Sequence, residues 1–103
     1  MRLHDTEKLI RDGAKFERKE DNFGVLLFGR EYEFKKLNGE PWRFAIFHDG
    51  ELVATARFFD VHLVVSTPSG ASMMMMSGRE VATLTDQERC LIVSELVFRW
   101  FEK

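Results

Sequence analysis

A chain of 103 residues with 45% hydrophobic and 31% charged side chains suits one globular domain, residues 1–103, and excludes wholesale disorder. Its 15 basic and 17 acidic side chains are interspersed and leave a formal net charge of −2, so the basic footprint of a nucleic-acid or anionic-membrane binder is missing. The lone cysteine, Cys90, excludes an internal disulfide framework and a cysteine-based zinc site. With no leader-like apolar stretch at the start and no apolar run of membrane-spanning length, a soluble protein of the reducing cytoplasm is expected.

The first element expected is a helix from Asp5 to about Arg18. Asp5 or Thr6 can cap it, and Leu9, Gly13 and Phe16 recur along one face. The run Glu20-Asp21-Asn22 ends it. From Phe23 to Met76 the chain reads as strands, punctuated by turn signals at Asn38–Pro41, Asp49-Gly50 and Thr67–Gly70. Thr85-Asp86-Gln87-Glu88 matches a capping box, in which hydroxyl and carboxylate satisfy each other's backbone N–H groups, so a helix is expected from Asp86 to about Phe101. The fold class expected is α+β: an N-terminal helix, an antiparallel meander of four to five strands and a C-terminal helix, both helices on one sheet face. Helix, three strands, helix is the order of double-stranded-RNA-binding domains, and the resemblance stops at order, because their last helix opens on lysine and arginine. Here it opens on Thr-Asp-Gln-Glu, and no membership follows.

Turn chemistry assigns the faces of the sheet. A two-residue turn at Asp49-Gly50 sets Phe47 opposite Leu52, Ala45 opposite Ala54 and Arg43 opposite Ala56. A two- or four-residue loop at Asn38–Pro41 adds Tyr32 and Phe34 to the same face. Its small central residues, Ala45, Ala54 and Ala56, let a helix approach closely, which marks it as the core. The second face then carries Trp42, Phe44, Ile46 and Val53, with Thr55 and Arg57. A hairpin closed by Thr67–Gly70 sets Val64 opposite Met73 and His62 opposite Met75, which adds both methionines to that second face. The last helix is apolar around most of its circumference and calls for burial on more than one side.

Several groups invite a chemical reading. His62 with Met73 and Met75 has the soft donors of a Cu(I) site, yet no Met-x-x-Met or Cys-x-x-Cys motif accompanies it, and methionines that fill irregular contacts explain the set better. His48, Asp49 and Glu51 gather at a hairpin tip, where the Asp-Gly turn already accounts for the aspartate. Cys90 lies in the apolar arc of the last helix and reads as packing. The hydroxyl-rich stretch 66–72 lacks the glycines and lysine of a phosphate loop.

No metal, cofactor or catalytic set is therefore expected. The function expected is that of a small non-enzymatic interaction or regulatory module, homodimeric, of the kind that includes inhibitors and adaptors carried by mobile elements. Its contact surface is expected at Trp42, Phe44, Ile46, Val53, Arg57, Met73 and Met75, and its partner is a protein, itself or another, with no membrane. Two alternatives stand beside it. One is nucleic-acid association through Arg11, Lys15, Arg18 and Lys19, opposed by neighbouring acids. The other is a small-ligand protein or enzyme with a pocket between sheet and helices.

Overall fold

The computed structural model describes residues 6–37, 42–77 and 80–101. It contains α1 (Thr6–Arg11), β1 (Lys15–Arg18), β2 (Asn22–Leu27), β3 (Arg30–Lys36), β4 (Arg43–His48), β5 (Glu51–Phe59), β6 (His62–Ser66) and β7 (Ser72–Met76). A 3-10 turn at Val81–Thr83 leads into α2 (Asp86–Leu96), which tightens no further but widens into a π-helical turn at Val97–Phe101. The strands form one seven-stranded antiparallel sheet in sequence order. The order helix, meander, helix holds, whereas the expected four to five strands and the long first helix are corrected. The Asp5 cap, the Asn38–Pro41 turn and residues 78–79 lie outside the described residues.

Gly13 is the reason the first helix is short. It sits at φ +104°, a conformation that costs an L side chain strain and glycine almost nothing. Ala14 N–H donates to Leu9 O at 2.9 Å and Gly13 N–H to Ile10 O at 3.0 Å. These are the paired bonds of a Schellman stop, with glycine just past the helix end. Leu9 and Ala14 are both buried and supply the apolar contact across the stop. Residues Lys15–Arg18 are thereby released to pair with β2.

A second turn is absent from the usual signals. Phe28 and Gly29 join β2 to β3 with φ of 52° and 78°, the geometry of a tight two-residue hairpin. Phenylalanine rarely adopts it, but here the ring lies 5.0 Å from Phe98 and under the Arg99 guanidinium at 5.4 Å. The Asp49-Gly50 turn has the expected positive φ values of 50° and 80°, and His48 pairs with Glu51 across it.

The core lies between the inner sheet face and α2. Phe23, Val25, Leu27, Tyr32, Phe34, Phe44, Ile46, Ala54, Ala56, Phe58, Leu63 and Val65 point inward from β2 to β6. Phe44 is at its centre, with the rings of Phe23, Phe34 and Phe58 at 6.3, 6.0 and 6.3 Å in edge-on arrangements. Edge-to-face rings of this kind stabilise by about 0.5–1.5 kcal/mol each beyond their area. In α2, Cys90, Leu91, Ile92 and Val93 are all buried. Four successive residues span nearly a full turn of 3.6, so the helix is enclosed all round, by the sheet on one side and by Leu9, Val81 and Leu84 among the residues that complete the core cluster. The apolar circumference of α2 that suggested a partner is satisfied within the chain as far as Val97, while Trp100 beyond it is exposed.

Candidate docking surface

Two registers differ from the sequence expectation, and together they rearrange the predicted surface. Phe47 pairs with Leu52 as expected, but Ile46 pairs with Ala54 and Phe44 with Ala56. Val53 is the extra residue, a β-bulge, and a bulge inverts the faces beyond it. On the other side of β4, Lys36 pairs with Phe44 and Leu37 N–H donates to Arg43 O at 2.9 Å, a register one residue away from the expected one. Strand β4 is thus inverted relative to both neighbours. Phe44 and Ile46, expected on the second face, are both 0% exposed. Trp42 and Val53 are half-buried against the core. Phe44 and Ile46 therefore offer no free surface, and Trp42 and Val53 offer only part of theirs. Arg57 keeps its place and is exposed on the outer face.

The same happens at β7. Thr67 pairs with Ala71 around Pro68-Ser69-Gly70, with Gly70 at φ +97°. A three-residue loop ending in a left-handed glycine replaces the four-residue loop expected, and the one-residue slip exchanges the faces of the strand. Leu63 pairs with Met75 and Val65 with Met73, so Met73 and Met75 face inward. Met74 and Met76 face outward, 63% and 56% exposed.

The soft-donor set consequently separates. His62 pairs with Met76 and stacks on Phe59 at 5.2 Å, on the face opposite to Met73 and Met75. Among the described residues no three His, Cys, Asp or Glu side chains gather as a metal site. His48 acts as a strut: Nδ1 lies 2.8 Å from the Glu31 carbonyl, and Nε2 is 3.3 Å from an Asp49 that stands out in solvent. Burial, and then the Asp86 carboxylate, push the Cys90 thiol pKa well above its ordinary 9.0. It is held as a neutral thiol, which suits packing and not nucleophilic attack.

One polar node escaped the sequence reading. Arg89 is buried, with Nη2 on Val81 O at 2.7 Å, Nη1 on Asp86 Oδ1 at 3.2 Å and its guanidinium 5.0 Å from the Trp42 ring. Asp86 also meets Arg18 at 3.2 Å and Lys36 at 3.8 Å. A carboxylate in the first turn of a helix is favoured by the helix dipole, and this one ties α2 to the ends of β1 and β3. The capping box is complete, with Thr85 Oγ1 accepting from Glu88 N–H at 3.1 Å and Glu88 Oε1 accepting from Thr85 N–H at 3.0 Å. Arg18, offered for nucleic acid, belongs to this node. Lys15 and Arg18 also fall on opposite faces of β1, Lys15 paired with Leu26 and Arg18 with Phe23, so the basic set does not form one patch.

The outer sheet face has two halves. Over β1–β3 it is charged: Lys15, Glu17, Lys19, Glu31, Glu33 and Asp49 rim a shallow groove of about 520 Å³ floored in part by Gly24. Over β5–β7 it mixes the apolar Phe59, Val64, Met74 and Met76 with Thr55, Arg57, His62, Ser66 and Ser72. There Phe59 lies beneath Arg57 at 5.2 Å, as Phe47 lies beneath Lys35 at 5.2 Å. Met74 and Met76, beside Val64 and His62, carry no such cover among the described residues. Phe28 in the β2–β3 turn and Trp100 in the π-helical turn after α2 are also exposed. No helix among the described residues is long and apolar enough to cross a membrane. Compared with protein-family models, curated proteins and solved structures, the chain matches none.

Proposed function

We propose that this protein is an interaction module that acts by surface contact, and that its docking surface is the outer face of β6–β7, with Met74 and Met76 at the centre and Val64, Phe59 and Arg57 around them. The observation that carries this reading is the exposure of two adjacent outward methionines, 63% and 56%, on a strand without a single charged residue. Sheet edges in monomeric proteins are ordinarily blunted by charge, proline or a bulge, and methionine is the side chain best suited to an adaptable apolar contact. The predicted surface is kept in kind but moved by one residue along β7 and off β4.

A photo-reactive residue substituted for Met74 tests the proposal, with the same residue at Glu33 on the charged half as control. Cross-linked species are expected from position 74 and not from position 33. Equal labelling from both positions, or none from position 74, contradicts it.

A further inference from the structure

Resting on that reading of β7, we infer that the strand's partner is a second copy of the chain: two β7 strands pair antiparallel about a twofold axis at Met74 and join two sheets into one. The backbone fixes which groups are available. Thr67 N–H donates to Ala71 O at 2.8 Å and Ser77 N–H to Val61 O at 2.7 Å. In an antiparallel ladder, hydrogen-bonded pairs alternate with pairs that are not bonded, so Ala71, Met73, Met75 and Ser77 spend their backbone groups on β6. The N–H and C=O groups of Ser72, Met74 and Met76 therefore point away from β6, along an edge that no strand covers among the described residues. With Met74 opposite its symmetry mate, Ser72 falls opposite Met76 and each such pair exchanges two hydrogen bonds. The same register brings the outward side chains of Met74 and Met76 of both copies onto one continuous face.

Charge selects this occupant. Like charges placed directly opposite destabilise a strand pair, and Ser72–Met76 has none to oppose. The other edge, β1, carries Lys15, Glu17 and Arg18, so a head-to-tail union of β7 with β1 sets charged residues against methionines and leads to an open filament instead of a closed pair. An acidic strand would find no counter-charge either. The outer-face cation Arg57 lies on β5, two strands inward, at a spacing of about 9–10 Å. A neutral apolar strand is what the edge fits, and β7 is itself such a strand. A contact of one five-residue strand with its copy is small beside the ~1,200 Å² or more that stable complexes bury. The dimer is therefore weak and concentration-dependent.

Sedimentation equilibrium over a concentration series, on the whole chain, tests the inference. Wild type is expected to pass reversibly from monomer to dimer. Met74→Lys and Met74→Glu, at a side chain exposed enough to keep the fold as judged by circular dichroism, are each expected to weaken dimerisation by about tenfold or more. Mixed in equal amounts they are expected to pair again, because the twofold position then holds opposite charges. A wild type that stays monomeric to its solubility limit, variants that dimerise as well as wild type, a mixture that stays monomeric, or growth into long polymers overturns self-pairing. A monomeric wild type whose position 74 still cross-links to another protein leaves the docking surface standing, and the loss of both removes both.

Discussion

Replacing Phe44 by alanine separates the two possible faces of β4. The ring is 0% exposed and meets three other phenylalanines within 6.3 Å. Truncating a buried phenylalanine costs about 3–5 kcal/mol in lost transfer energy and unfilled cavity. For a domain of this size 1 kcal/mol moves the melting temperature by roughly 4–8 °C, so Phe44→Ala is expected to lower it by roughly 12–40 °C. Met74→Ala, cut from a side chain that is already mostly solvated, is expected to stay within about 0.5 kcal/mol of wild type. Differential scanning calorimetry on the dilute proteins reads both. If Phe44 lay on a docking face, its truncation would leave the melt almost unmoved. That result, or a Met74→Ala loss comparable with that of Phe44→Ala, refutes the assignment of faces.

Gly13→Ala forces a side chain into φ +104° and is expected to cost about 1–2 kcal/mol in urea unfolding; an unchanged midpoint argues against the Schellman stop. Arg89→Lys cannot span Val81 O and Asp86 with a planar fork, so it is expected to lose about 2 kcal/mol, and full stability in that variant removes the buried node. The thiol of Cys90, its pKa raised by burial, binds its proton more tightly in the folded chain. Its contribution is complete below the ordinary value of 9.0 and is lost as pH rises above it. Above that pH, stability is expected to fall by up to about 1.4 kcal/mol per pH unit more in wild type than in Cys90→Ala. Parallel pH profiles of the two proteins contradict this.

Element type was legible wherever local chemistry decides it. The capping box at Thr85, the Asp49-Gly50 hairpin and the apolar circumference of α2 are local statements and appear in the structure as such. The faces were harder, because each depends on the parity of a connection. The bulge at Val53, the β3–β4 register and the three-residue loop before β7 each shift the pairing by one residue. Those one-residue shifts account for the misplacement of Phe44, Ile46, Met73 and Met75. A corrective signal was present in β4 itself: Arg43 and Ala45 on one parity, Phe44 and Ile46 on the other, is the alternation of a strand with its large apolar side chains inward. Gly13 carries a signal too, since a glycine in a helical pattern can equally be the residue just past a helix end. Arg89 left none, since its burial depends on Trp42, Val81 and Asp86 meeting in space.

The exposed pair on β7 is open to one direct measurement: methyl spectra of 13C-methionine-labelled protein with a soluble nitroxide relaxation agent. In dilute solution the Met74 and Met76 methyls are expected to relax strongly and those of Met73 and Met75 weakly, and raising the protein concentration is expected to shield the first pair. Strong relaxation of Met73 and Met75, with Met74 and Met76 protected from the start, contradicts the surface proposed for this protein.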